Sequence, residues 1–248
     1  MKIVACINHV PDTEAKIKIG TDGKTIDKTG VNFILNPYDE FAVEAALQLK
    51  EKMGGETIAL TLGGDGHKEA LRKTLAMGID KAILLKDNSP RDSFSVAQAL
   101  ADELKKLSPD CIFFGKQSID YYGEQMPGLV GELLGIPSVS AVVALNFEDK
   151  KITCEREIEG GREIVETSMP VAISAQKGLN EPRYPSLKGI MASKTKPIEE
   201  HQPANYPSVV DVVGLQKPSV KQAGKIVGAG ADAVPELVRL LREEAKIL

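Results

Sequence analysis

The feature that most constrains this chain is an alternation of short, continuously apolar runs with amphipathic stretches of helical period. Ile3 to Ile7, Thr57 to Leu62, Ala82 to Leu85 and Cys111 to Phe114 are apolar almost throughout, without the polar alternation of a half-exposed strand. Each reads as a strand buried on both faces. Between them lie helical patterns. One is opened by Asn36-Pro37-Tyr38-Asp39-Glu40, carries Phe41, Ala45, Leu49 and Met53 at i+4 spacing, and is ended by Gly54-Gly55. A second holds Leu71 and Leu75 and stops at Gly78, and a third spans Phe94 to Lys106 with Ala97, Leu100 and Leu104 on one side. Repeated strand, helix, strand implies right-handed crossovers and a parallel sheet covered on both faces.

Around this frame the pattern departs in three places. Residues 8–35 form a polar excursion in which Thr21-Asp22-Gly23-Lys24 has hairpin-turn chemistry. From about Pro137, the extended runs Val139 to Phe147, Lys151 to Glu157 and Glu163 to Thr167 are separated by Glu148-Asp149-Lys150 and Gly160-Gly161, which predicts an antiparallel meander. Val171 to Ser174 is expected to return to the sheet. Residues 178–231 are proline-rich and lack a sustained apolar period; they read as an arm ordered on another surface or a mobile linker. A helix is expected from Asp232 onward, with Pro235 in its first turn. The expected fold class is α/β: a doubly wound, mostly parallel sheet of the adenine-nucleotide α-hydrolase-like kind, with an antiparallel extension and an extended C-terminal arm. The expected division is 1–177 for the nucleotide-binding α/β domain and 178–248 for the arm and terminal helix.

The richest loop follows Cys111 to Phe114: Gly115-Lys116-Gln117-Ser118-Ile119-Asp120-Tyr121-Tyr122-Gly123-Glu124-Gln125-Met126-Pro127-Gly128. A loop leaving the carboxyl end of a strand and feeding a helix presents free backbone amides and the positive end of a dipole, where doubly wound folds bind phosphate. A plain connector does not need so many polar side chains beside three glycines, so this reads as a site loop. Gly63-Gly64-Asp65-Gly66-His67 is a second glycine-rich loop, without dinucleotide-fingerprint spacing. His67 is expected at the surface. Three loops gather at one end of the sheet: Cys6 to Asn8, Asn36 to Asp39 and Gly115 to Gln125. Asn36 and Gln117 offer amides to a base or ribose. Together they suit an adenine nucleotide.

Several function classes are excluded or disfavoured. GxSxG, HExxH, the P-loop and GxGxxG are absent, so no catalytic residue is expected. Cys6, Cys111 and Cys154 are far apart with no CxxC, which argues against a zinc site or disulfide framework; no metal is expected, and a reducing cytoplasm fits. The N-terminus enters a strand directly, without a signal-peptide pattern. A net charge of −4 is not that of a nucleic-acid binder, and no apolar run approaches a membrane span.

Asn36-Pro37-Tyr38-Asp39-Glu40, Leu75-Ala76-Met77-Gly78, Gly115-Lys116-Gln117-Ser118-Ile119-Asp120, Glu155-Arg156-Glu157-Ile158-Glu159-Gly160-Gly161 and Leu179-Asn180-Glu181-Pro182-Arg183-Tyr184 occur in this order. Together they closely resemble the β subunit of electron transfer flavoprotein, nearly end to end. The resemblance implies an electron carrier rather than an enzyme. It also implies a heterodimer with an α subunit that holds the redox-active FAD, and a structural AMP on this chain. The AMP contacts it implies are Cys6, Asn36, Pro37, Tyr38, Asp39, Leu62, Gly115, Lys116, Gln117, Ser118, Ile119, Asp120, Tyr122, Gly123, Gln125 and Met126. It further implies docking on acyl-CoA dehydrogenases or related dehydrogenases through 184–191, with Tyr184, Leu187, Ile190 and Met191 as contacts, Leu187 as the anchor, and a quinone oxidoreductase as electron acceptor. Tyr121-Tyr122-Gly123-Glu124 departs from the small or acidic residues usual there; the tyrosines either stack on adenine or narrow the pocket. Electron-bifurcating, NADH-oxidising relatives hold a second FAD in place of AMP and typically show hydroxyl residues where this chain has Phe94 and Val96. AMP is therefore the expected occupant and a second FAD the alternative. A stand-alone adenine-nucleotide-binding domain is a third reading.

Overall fold

The computed structural model describes residues 1–148, 151–220 and 223–248. These residues form two compact units, Met1–Val213 and Gly214–Leu248. No helix among them is long and apolar enough to cross a membrane.

In chain order the first unit begins with β1 (Lys2–Cys6), β2 (His9–Pro11), β3 (Lys18–Ile19), β4 (Ile26–Asp27) and β5 (Phe33–Leu35). Then come α1 (Pro37–Met53), β6 (Glu56–Gly63), α2 (His67–Met77), β7 (Lys81–Lys86), α3 (Ser93–Leu107), β8 (Cys111–Gly115) and α4 (Met126–Leu134). The meander is β9 (Ser138–Glu148), β10 (Lys151–Ile158) and β11 (Gly161–Ser168), followed by β12 (Val171–Ala175), α5 (Leu187–Thr195) and β13 (Ile198–His201). The second unit holds a short 3-10 turn, Ala231–Ala233, and α6 (Val234–Glu243). Within the expected turn Glu148-Asp149-Lys150, Asp149 and Lys150 lie outside the described residues.

The main sheet has nine strands in the order β11-β10-β9-β12-β8-β1-β6-β7-β13. All neighbours from β9 to β13 are parallel, and β9, β10 and β11 pair antiparallel, so the expected fold class is the observed one. Side chains alternate between two cores along each central strand. Ile3, Ala5, Ala59, Leu84, Phe113 and Ile173 pack with α1 and α2 residues such as Val43, Ala46 and Leu71. Val4, Leu60, Ile83, Ile112, Phe114 and Ala172 pack with Ala97, Leu100, Leu104 and Val130 of α3 and α4. Burial on both faces is the physical reason these strands are apolar without alternation. The excursion folds as two small antiparallel ribbons, β2 with β5 and β3 with β4. The turn between the latter uses Gly23 at φ +67° and an Asp22 carboxylate that accepts the Lys24 and Thr25 amides.

Two expectations need correction. The stripe Phe41, Ala45, Leu49 and Met53 is only part of the buried surface of α1: Ala42, Val43, Ala46 and Leu47 are also buried, and Met53 is exposed. The second change concerns the arm. The expected boundary after residue 177 falls inside the first unit, because the following segment folds back onto it. Asn180 donates to the Phe41 carbonyl at 2.9 Å, α5 packs on α2, and β13 adds a parallel strand beside β7. The sequence Ile198-Glu199-Glu200-His201 has one apolar residue in four, and α5 carries a glycine, so neither shows a period that reads as structure. The charged edge strand is what a sheet margin tolerates.

Candidate functional site

The sheet order reverses between β1 and β8. From β1 the chain builds outward to β6 and β7 on one side, then returns through α3 to place β8 on the other. In open α/β sheets the crevice at the carboxyl ends of such a strand pair is where ligands bind. The loops 7–8 and 116–125 leave β1 and β8 at this point, and α1 starts beside them.

A single carboxylate ties these three pieces together. Asp39, in the first turn of α1 and 5% exposed, accepts the Asn8 amide at 2.7 Å and the Gly115 amide at 3.0 Å, one on each oxygen. Burial pushes its pKa up to about 7, against those hydrogen bonds, which favour the charged form. Asn36, 1% exposed, donates to the Gln117 carbonyl at 2.9 Å and accepts the Ile119 amide at 3.3 Å. The Asn8 side chain donates to the Ser118 hydroxyl at 3.1 Å, and Ser118 in turn donates to Asp120. Lys116 donates its amide to the Ala175 carbonyl at 2.9 Å. The loop thus rests on α1, the end of β1 and the end of β12.

These contacts sort the residues singled out in the sequence. Cys6 is buried under the site and its thiol is pushed up by burial, with Asp39 adding to the rise, so it presents backbone rather than a reactive sulfur. Asn36 and Asp39 are brought to the site, but both ends of the Asn36 amide and both Asp39 oxygens are engaged by the scaffold. Pro37, Tyr38, Leu62, Lys116, Gln117, Ser118, Ile119 and Met126 are half-buried, and Asp120, Tyr122, Gly123 and Gln125 are exposed on the 116–125 loop. Tyr121 and Tyr122 are 79% and 63% exposed, and Tyr122 sits at φ +54°.

The glycine that opens the loop has a structural reason. A Cβ on Gly115 would lie 2.3 Å from Asp39 Oδ1, 2.6 Å from the Tyr38 carbonyl carbon and 2.8 Å from the Asp39 nitrogen. Only a residue without a side chain lets β8 run this close to the start of α1. At the far end of the loop, α4 begins at Met126 with no side-chain cap, its N-cap residue being Gln125. Its first amides are free of a side-chain acceptor, a polarity that suits an anionic group. The contrast with α3 is clear. There Asp92 caps the helix by accepting the Ser95 amide at 2.8 Å, and its other oxygen accepts the Val209 and Val210 amides at 2.7 and 3.0 Å.

The sequence reading missed one cluster. His67 is half-buried rather than at the surface: its ring lies 5.3 Å from that of His9, which in turn lies tilted against Phe33 at 5.4 Å. A Cβ on Gly63 would fall 2.2 Å from the His67 ring, so this glycine serves the histidine's packing. Burial holds the His67 pKa down to about 4, with His9 adding to the shift. The β2–β5 ribbon is what delivers His9 and Phe33, and a pairing of three-residue strands far apart in sequence leaves no local signal.

The expected docking segment lies against α1 and α2, with Arg183 paired to Glu44 and Glu51 of α1 and α5 packed on α2. Tyr184 is 95%, Leu187 83% and Met191 72% exposed, with Ile190 at 41%. Leu187 therefore does not pack on its own unit.

Comparison with known proteins completes the description. The electron transfer flavoprotein domain family matches residues 23–206. The chain is 43% identical over 225 residues, 90% of its length and 88% of the relative's, to an electron transfer flavoprotein subunit beta of Syntrophomonas wolfei. It is 39% identical to that of Bacillus subtilis and 34% identical to that of Bradyrhizobium diazoefficiens, each over the full length of both chains.

Proposed function

We propose a carrier role that starts from one fact: this chain belongs to the family of electron transfer flavoprotein β subunits. In this reading it pairs with an α subunit holding the redox-active FAD, has no catalytic chemistry of its own, and binds a structural AMP at the switch point between β1 and β8. It docks on acyl-CoA dehydrogenases or related flavoproteins so that electrons pass to the α-subunit FAD and on to a quinone oxidoreductase.

The observation that carries the AMP assignment is the uncapped start of α4, fed by a loop that Asp39 and Asn36 hold open at the sheet's switch point. The first amides of α4 would take the phosphate, whereas the half-buried Tyr38, Leu62 and Gln117 line the crevice for the nucleoside. Asn36 and Asp39 act beneath the ligand as supports. The capped start of α3 favours the smaller nucleotide: Asp92 puts a carboxylate there that already takes the Ser95 amide, where a second, longer pyrophosphate would seek a donor. For docking, an exposed leucine flanked by Tyr184 and Met191 is the kind of apolar anchor that enters a partner's pocket.

The test is to purify the α/β complex, denature it, and identify the released nucleotides by mass and absorbance. One FAD and one AMP per heterodimer is the expected result. Two FAD and no AMP would overturn the assignment in favour of a bifurcating, NADH-oxidising subunit.

A further inference from the structure

The docking segment is held from beneath by two arginines. Arg183 bridges two turns of α1: its Nε and Nη2 donate to Glu44 at 2.8 and 2.9 Å, and its Nη1 and Nη2 donate to Glu51 at 2.6 and 3.1 Å. Its backbone amide also donates to Glu44 at 3.2 Å. The Glu44 side chain is 4% exposed, and Gln48 donates to it at 2.9 Å. Beyond the segment, Arg72 of α2 donates to the carbonyls of Ser193 and Lys196, and Lys196 donates back to the Ile79 carbonyl at 2.8 Å. Between these clamps, Ser186 caps α5 by accepting the Gly189 amide at 3.0 Å. Gly189 sits so close to α2 that a Cβ there would lie 2.3 Å from the Ala76 carbonyl oxygen.

An arm so richly tied would be expected to bury its apolar side chains, yet Tyr184, Leu187 and Met191 face solvent. Folding therefore spends ordering on a surface that gains little in the free chain. Holding an apolar surface in one shape before a partner arrives lowers the entropic cost of binding. Two bidentate charge-assisted contacts at one end and a pair of carbonyl contacts at the other suit that task better than burial would. We infer that Arg183 and Arg72 are positioning residues that preorganise Tyr184–Met191 for docking. The inference rests on the docking role proposed above.

The experiment compares purified α/β heterodimers carrying wild-type chain, R183Q, R183K, R72Q, E51Q and L187A. Reduction by an acyl-CoA dehydrogenase supplied with butyryl-CoA is followed against heterodimer concentration, and amide hydrogen exchange is read over 184–196. In R183Q and R72Q the concentration for half-maximal rate rises about tenfold, the loss of roughly one charge-assisted contact's worth of preorganisation, with the maximal rate little changed. Exchange in the arm quickens, and R183K falls between, since an ammonium cannot form both forks. Should R183Q not assemble, R183K and E51Q decide, each expected to raise the half-maximal concentration. If L187A weakens docking while the arginine and E51Q variants do not, the positioning role is overturned and docking stands. If L187A changes nothing, or wild type is not reduced, the docking reading falls and this inference with it.

Discussion

Asp39 and Gly115 meet across the end of the sheet so closely that the Gly115 amide donates to Asp39 at 3.0 Å and no side chain fits between them. That contact joins the first turn of α1 to the end of β8, and it sets the height at which the site loop leaves the sheet.

Replacing Gly115 with alanine should therefore be costly. The clashing atoms include backbone of Tyr38 and Asp39, which cannot turn aside as a flexible side chain would. Strain of this kind typically costs about 1–3 kcal/mol. Denaturant unfolding of G115A should show a lower midpoint, and the purified α/β complex should retain less nucleotide. A variant as stable as wild type would show that β8 and α1 can separate freely.

For Asp39→Asn, an amide nitrogen would face a backbone amide donor, and leaving one buried group unpaired costs about 1–3 kcal/mol. The pH dependence gives a second signature. The folded-state pKa is raised from 3.8 to about 7, so the folded chain takes up this proton more readily than the unfolded one. The stability contributed through Asp39 is thus greatest at low pH and declines as pH rises through the window from 3.8 to about 7. Thermal melts of wild type and D39N across that window should converge as pH increases; a constant gap would mean that Asp39 does not titrate there.

His67 should act in the opposite sense. Its folded pKa is depressed from 6.5 to about 4, chiefly by burial, so below 6.5 the unfolded chain binds the proton first. Stability is lost as pH falls from 6.5 toward about 4. A His67→Gln variant should flatten this part of the melting-temperature profile, whatever its effect at neutral pH. An unchanged slope would place the acid sensitivity elsewhere.

Asp92 serves two elements at once, capping α3 and holding the Val209 and Val210 amides. Its pKa is lowered mainly by the Ser95 amide, so the carboxylate is the working form. Asp92→Ala should lose a helix cap, typically about 0.5–2 kcal/mol. It should also speed hydrogen exchange at residues 209 and 210 while leaving β8 and α4 unaffected. Loss of the cap without faster exchange there would separate the two functions.

The central frame was legible because its signals are local and periodic. Four apolar strands, the helices between them and the glycine-rich loop after Phe114 follow from burial on two faces and from turn chemistry, and each lies within a window of neighbouring residues. Family resemblance, carried by five short motifs, was equally visible on the page of the sequence. What the sequence could not show is which partner a polar side chain chooses. Asn36 and Asp39 are expected from the sequence as ligand contacts; that they also tie residues 8 and 115–119 to the start of α1 is visible only in the fold. His9 met His67 through a ribbon of three-residue strands. The proline-rich arm became a helix and an edge strand because Arg72, Arg183 and Asn180 found acceptors on α1 and on the arm itself, more than a hundred residues apart in sequence. Local periodicity records how much surface each element buries; hydrogen-bond partners are decided by long-range contacts that exist only once the sheet has closed around them.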